Sequence, residues 1–242
     1  MTKSFKGDRY LVRPFTSKFH VFAFIPTSVI VSTPHAVIFS ERNSLFSILQ
    51  SQTHELWTRF FGSSLKVDPR YTPSDCFETF PFPIDWEKIT QLEELGKEYY
   101  EYRAKLMINN NQGLTATYNR FHDPNEYDHA ILKLRELHDQ MDRSVLDAYG
   151  WQDITINCEF LLEDEDEDES STGAINKKGG KKNPYRYRWI DDIHDEVLAR
   201  LLALNEERYQ EEVLRGDKKE GKSKKAKGKT SSSPSIPNFF NK

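Results

Sequence analysis

Three short stretches hold residue types that could do chemistry. His54-Glu55 begins like the zinc pattern HExxH, in which two histidines one helical turn apart ligate the metal and the glutamate activates water. Position 58 is Thr58, so the second ligand is absent, and His54 reads instead as a surface or DNA-facing residue. Asp85, Glu87 and Lys88 have the makings of the acidic pair and ExK of a metal-dependent nuclease, but they follow Pro83 and open a helical pattern, where acids are favourable without any further role. Asn183-Pro184-Tyr185 lacks the second proline of the Asn/Asp-Pro-Pro-aromatic motif that holds a flipped base, and it falls in a charged segment. Neither a GxxxxGK[ST] phosphate loop nor a GxGxxG turn occurs. These residues supply no catalytic, cofactor or metal site, and a chain without catalysis of its own is expected.

The 242 residues suffice for one large or two small domains. Hydrophobic residues make up 37%, charged residues 30%, and mean hydropathy is −0.73, so part of the chain is expected outside any core. Cys76 and Cys158 stand far apart without a CxxC partner, which argues for two reduced structural thiols. No apolar run approaches the roughly 18 residues of a membrane span, and the start MTKSFKGDRY lacks a signal peptide's apolar stretch. A cytoplasmic chain with no membrane partner is the expectation. Charge is segregated: residues 1–83 carry nine Lys/Arg against six Asp/Glu, and 215–242 carry nine against two, so the net −4 conceals a strongly acidic middle. Local basic faces can therefore meet nucleic acid despite a pI of 6.0.

The elements that must position any site read as follows. Val, Ile and Phe between His20 and Ser40, broken by Pro26 and Pro34, predict two or three short strands. Phe46, Leu49, Leu56, Trp57, Phe60 and Phe61 recur at helical steps and predict one helix ending at Gly62. Asp85–Met107 and about Pro124–Tyr149 are amphipathic helices, joined through Thr117–Pro124. A charged insertion over 158–188, acidic and then basic with its centre at Glu163–Pro184, is expected to be disordered. A C-terminal helix over 189–214 and a low-complexity basic tail over 215–242 follow. Between the first helix and Asp85 lies RYTPSDCFETFPFP, Arg70 to Pro83, whose prolines forbid regular structure through most of it. Such a stretch cannot bury its own backbone, so its aromatics must dock on a surface already folded.

That stretch, extended to FGSSLKVDPRYTPSDCFETFPFP and followed by LTATYNRFHDPNE, LHDQMDRSVLDAYGW and EVLARLLALNEERYQEE, resembles the C-terminal region of Type IIG (MmeI-like) restriction-modification enzymes and related phage-defence adenine-specific DNA methyltransferases. The resemblance runs from about His20 to Glu212. It implies an α+β fold: a small mixed α/β target-recognition portion, here a partial domain over 1–83, then a mainly helical region over 84–157, the insertion, the C-terminal helix and the tail. Double-stranded DNA is the implied partner, with nucleoid association when bound. The family's methyltransferase core and nuclease domain precede this region and have no motif here. A separately encoded specificity subunit or the remnant of a split gene is thus implied, working with an upstream methyltransferase/nuclease chain. S-adenosylmethionine belongs to that catalytic part, and no cofactor is expected in this chain. A helical scaffold or partner-binding protein and an inactive remnant are the competing readings.

In MmeI-like enzymes bases are read from a stretch of form Leu-x-x-x-x-Arg-Tyr-[Ser/Thr], which here is Leu65–Thr72 and places the reading positions on Lys66 and Asp68. Lysine can donate to guanine O6 and N7 and aspartate can accept from cytosine N4, so one G·C pair could be read from both edges, each pairing contributing about 1–3 kcal/mol of discrimination. A solvated turn with an opposite-charge pair is the alternative. Arg59, Ser63 and Arg70 are expected on phosphates, which hold register without specifying sequence. Arg120, grouped with Asn119 and His122, either touches DNA backbone or belongs to a loop fixed by internal hydrogen bonds. The connector is expected to pin the reading loop by docking Tyr71, Phe77, Phe80 and Phe82, and the basic tail to add salt-sensitive attraction to DNA.

Overall fold

The structure, a computed structural model, describes residues 5–65, 68–162 and 185–216, with the side chains of 63–65, 68 and 69 outside the description. The fold is α+β. It divides into a unit over 1–206, which holds every residue of the site discussed below, and a second over 207–242, whose described residues include an Arg215–Glu211 ion pair of 3.0 Å.

The first sheet is antiparallel with order β2-β1-β3, from β1 (Arg9–Pro14), β2 (Ala23–Pro26) and β3 (His35–Ile38). Its strands end at Pro14 and Pro26, where the ladder loses a donor. Two helices follow, α1 (Asn43–Gln50) and α2 (Gln52–Phe61), in place of the single helix that periodicity predicts. Ser51 is the reason for the break: its backbone is extended (φ −67°, ψ 158°), and its hydroxyl accepts the His54 N–H, so it caps the second helix while ending the first. A hairpin, β4 (Ser63–Leu65) and β5 (Asp68–Arg70), and a one-turn helix, α3 (Pro73–Cys76), come next.

The long helix expected from Asp85 begins later. Asp85 is left-handed (φ 54°), Trp86–Lys88 form a 3-10 turn, and α4 runs from Thr90 to Asn109. It lies close against α1 because position 96 is glycine: a Cβ there would collide with the Ser47 hydroxyl and the Asn43 carbonyl oxygen. Ser47 then donates to the Leu92 carbonyl at 2.6 Å. A helix appears where a connecting segment was expected, α5 (Leu114–Phe121), and α6 (His129–Ala148) follows it. Arg135 of α6 fixes the short turn between them, donating to the carbonyls of Phe121 (2.8 Å), Asp123 (2.8 Å), Arg120 (3.1 Å) and Glu126 (3.2 Å).

The insertion expected over 158–188 is narrower than its charge suggests. Cys158–Leu162 (β6) and Tyr185–Trp189 (β7) pair antiparallel, and the centre, 163–184, lies outside the described residues, as does the tail beyond 216. Aromatic and aliphatic residues on these margins pay for the pairing: the Phe160 and Tyr187 rings meet in a tilted contact at 5.2 Å, and Trp189 is buried. The last helix, α7, spans Asp191–Leu214. No helix among the described residues is long and apolar enough to cross a membrane.

Two apolar clusters hold the unit together. One joins the sheet to the helices through Leu11, Phe22, Phe46, Leu49, Tyr99 and Met141; the other joins α1, α2, α6 and α7 through Ile48, Trp57, Val145, Trp189 and Leu201. Neighbours Ile48 and Leu49 of α1 thus serve different clusters, and α4 and α6 likewise contribute to both.

Candidate DNA-recognition hairpin

The hairpin grows directly out of the end of α2. Gly62 makes the junction, donating to the Thr58 carbonyl at 2.7 Å. A Cβ at Gly62 would run into the Thr58 carbonyl oxygen and lie 3.0 Å from that of Arg70, so the helix end and the returning strand approach each other as only glycine permits. Ser63 pairs with Arg70, Ser64 with Pro69 and Leu65 with Asp68. The expected phosphate contacts Ser63 and Arg70 are therefore cross-strand partners at the base of the hairpin, and the Arg70 side chain is exposed. Asp68, one expected base reader, is the first residue of β5; Lys66, the other, lies outside the described residues.

The far side of the hairpin is tied to the main sheet. Thr16 bridges to Arg70 and the Tyr71 N–H donates to the Phe15 carbonyl at 2.7 Å, so the strand leaving the hairpin is laid along the continuation of β1. From there the connector docks as its composition demands. Tyr71 and Phe80 are buried, while Phe77 and Phe82 pack on the core at partial burial. Phe80 meets His54 at 4.6 Å, Phe82 at 4.9 Å and Trp57 at 6.0 Å. The Trp57 indole donates to Thr79 at 3.1 Å, and Asn205 of α7 donates to the Thr79 carbonyl at 2.6 Å.

Beneath Tyr71 sits a polar nest. His54 is fully buried rather than on the surface or facing DNA, because the break at Ser51 turns that side of α2 to the core; its Nε2 shares a hydrogen bond of 3.2 Å with the Tyr71 hydroxyl. Arg13, also buried, donates to His20 Nδ1 at 2.8 Å, and His20 Nε2–H donates to the Leu49 carbonyl at 2.7 Å. The Arg13 guanidinium lies 4.4 Å from the Tyr71 ring centroid and 5.2 Å from that of Phe22, a cation–π arrangement that offsets part of its desolvation. Burial lowers Arg13 to about 10, well above neutrality, so it stays charged. Burial also holds His20 and His54 well below the ordinary imidazole value, both therefore neutral, with nearby positive charge adding to the effect. The same burial raises the Tyr71 phenol. The nest carries one fixed positive charge under the connector and orients Tyr71 from below.

The other expected contacts are engaged to different degrees. Arg59, in the last turn of α2, ion-pairs with Glu55 at 2.8 Å. Burial alone would raise the Glu55 carboxyl, and Arg59 outweighs it, leaving the value lowered. Arg120 ends α5 and is gripped by Glu126 (2.6 Å) and Asp128 (2.9 Å), so its turn is fixed by internal hydrogen bonds. Cys76 and Cys158 are free thiols. His138, Asp139 and Asp142 lie close enough to hold an ion, yet the Asp142 carboxylate accepts two bonds of 2.9 Å from Gln52 and Asp139 accepts the Tyr187 hydroxyl at 2.8 Å, as a closed packing network would require.

Sequence reasoning missed a cationic face on the C-terminal hairpin and helix, where Arg186, Arg188 and His194 meet Arg59 and His122 around one cavity. The alternation in YRYRW, Tyr185–Trp189, was its signal.

Residues 14–84 match the family model described as MmeI, target recognition domain, a span that runs from the last residue of β1 to just past the connector. DNA methyltransferase A of Bacillus subtilis (strain 168) is 29% identical over 116 residues, covering 47% of this chain and 12% of that protein. In solved structures, the Type IIL restriction-modification enzyme MmeI in complex with DNA superposes with a TM-score of 0.53 at 20% identity, over 86% of this chain and 22% of that one. This chain thus spans a small part of each protein it resembles, and the structural likeness reaches well beyond the matched domain into the helical region. Residues 14–84, with the hairpin in their C-terminal half, are thus similar to an MmeI target recognition domain.

Proposed function

We propose that this chain is a sequence-specific DNA-recognition module of a restriction-modification or phage-defence adenine DNA methyltransferase, non-catalytic itself, which directs a methyltransferase/nuclease chain to its site. The observation that carries the reading is the hairpin at the end of α2, inside the span that matches a target recognition domain, anchored at Gly62 on one side and at Phe15 and Tyr71 on the other. Lys66 and Asp68 are assigned to base edges in the major groove. Arg59, Ser63 and Arg70 are assigned to phosphates, while the two carboxylates on Arg120 favour a role for it in holding the α5–α6 turn. S-adenosylmethionine would be bound by the partner.

Selection of bound duplexes from a randomised pool, at two salt concentrations and with and without the methyltransferase chain, tests the reading. Enrichment of a short motif containing a G·C pair supports it. Binding that is unsorted and salt-labile even with the partner present contradicts it.

A further inference from the structure

We infer that Asn205 of α7 is a positioning residue for DNA recognition: its side-chain amide latches the connector at Thr79, and through Thr79 the C-terminal helix holds the reading hairpin in place. The inference rests on the DNA-recognition reading and extends it to a residue outside 14–84.

Thr79 stands where the two supports of the hairpin meet. Its hydroxyl accepts the Trp57 indole N–H at 3.1 Å, and Trp57 belongs to α2, which runs through Gly62 into β4. The same hydroxyl donates to the Asp75 carbonyl in α3, the one-turn helix that follows β5 by way of Tyr71 and Thr72. One side chain thus ties the element before the hairpin to the element after it. The Thr79 carbonyl accepts from farther away: the Asn205 Nδ2 amide donates to it at 2.6 Å, across a sequence separation of 126 residues.

Apolar packing brings α7 to that carbonyl. Val197 and Leu201 are fully buried in the cluster that also holds Trp57 and Phe80, and Asn205 follows Leu201 by one turn on the same helix face. Phe80, next to Thr79, meets Trp57 at 6.0 Å and His54 at 4.6 Å, so the connector is seated by its aromatics and the latch fixes its register. The hairpin needs such support, because its strands are three residues each and pair over three positions only. A recognition group works when its surroundings hold it to within about 0.5 Å. One neutral hydrogen bond shifts a local equilibrium about two- to tenfold, too little to decide whether the chain folds and enough to decide how far a short hairpin stays in place.

The test uses the full chain and three variants. Asn205→Leu removes the donor at nearly the same size, Asn205→Gln keeps an amide, and Arg200→Gln breaks the Arg200–Asp153 pair of 2.5 Å on the same helix. Urea denaturation ranks their stabilities. The first readout is amide hydrogen exchange: Asn205→Leu should speed the Tyr71 and Gly62 N–H groups, bonded to the Phe15 and Thr58 carbonyls, about two- to tenfold beyond any change in the β1 amides. The second is the affinity ratio between the duplex motif selected by wild type and that motif with one base pair exchanged. The ratio should fall about two- to tenfold in Asn205→Leu and less in Asn205→Gln, with the salt slope unchanged in both because no charge is lost. Arg200→Gln should keep the wild-type ratio and hairpin exchange whatever stability it loses. An unchanged ratio in Asn205→Leu overturns the proposal, even with faster exchange, since the bond would then be structural only. An equal fall in Arg200→Gln also overturns it, as an effect of stability alone. If wild type selects no motif, the DNA-recognition reading fails, and hydrogen exchange still decides whether α7 holds the hairpin.

Discussion

Replacing Gly62 by alanine isolates the joint between helix and hairpin. The added methyl would meet two backbone carbonyls, that of Thr58 in the last turn of α2 and, at 3.0 Å, that of Arg70 at the end of β5. Neither is the tip of a flexible side chain, so either the last helical turn opens or the hairpin moves away from it. Forcing such a group into packed structure costs about 1–3 kcal/mol, while the alanine's smaller unfolded-state entropy returns about 0.4–1 kcal/mol. A net loss of about 1–2 kcal/mol is expected, read as a lowered urea midpoint at unchanged m-value. Gly113→Ala is the matched control: nothing lies within 4 Å of its Cβ position and its φ is −84°, so it should stay within about 1 kcal/mol of wild type. Because Gly62 anchors the strand that leads to the reading positions, Gly62→Ala should also blunt sequence preference in a duplex selection while retaining salt-sensitive binding. Wild-type stability together with an unchanged motif would refute the reasoning.

Other predictions follow from the nest and the exposed arginines. Tyr71→Phe removes the hydroxyl bonded to His54, leaving both ring nitrogens of a buried imidazole unpaired, and should cost about 1–3 kcal/mol by urea denaturation; a loss below about 0.5 kcal/mol would show that the bond is unimportant. His20 and His54 are neutral when folded and charge when unfolded, so their contribution is intact above about pH 6.5 and is lost as pH falls below it, with a limiting slope near 3 kcal/mol per pH unit for the two. His138 acts the other way: burial opposes its charge, but Asp142 at 3.1 Å prevails and raises it, so its contribution is present below about pH 6.5 and is lost as pH climbs through the folded value. Denaturation midpoints at pH 5.5, 6.5 and 7.5 check both, and a flat profile from 6.5 down to 5.5 would contradict the assignment of His20 and His54. Arg70→Ala should leave stability within about 0.5 kcal/mol and reduce the salt slope of duplex binding by about one. Arg120→Ala should instead cost up to about 1 kcal/mol of stability with the slope intact, since its carboxylate partners are partly exposed.

What could be read from the sequence and what could not divides along physical lines. The connector was legible because proline excludes alternatives: four aromatics on a chain with few donors left to pair have to dock, and Tyr71 and Phe80 do so at full burial. The long helices were legible from periodicity, though their starts were not, since a left-handed Asp85 and a 3-10 turn leave no mark on a hydrophobic pattern. Ser51 was the costly miss. A serine within an apolar period looks tolerable, yet as a cap it splits the helix, and His54 ends up inside. Arg13, Arg103 and Arg135 were equally invisible as core residues, because a buried guanidinium depends on acceptors supplied from afar: Arg103 finds Phe22 O at 2.7 Å, 81 residues away. The β6–β7 hairpin was concealed by the charge run between its strands, which dominates composition while the alternating YRYRW does the pairing. The hairpin carrying Asp68 was placed through resemblance, since three-residue strands hold too few positions to show a period.

The most direct test of recognition by the hairpin is duplex selection with wild type and with Lys66→Glu combined with Asp68→Arg, run in parallel with the methyltransferase chain present. The account predicts that wild type enriches a short motif containing a G·C pair and that the double variant changes the base at that one position while keeping the rest of the motif. An identical motif from both proteins would contradict it.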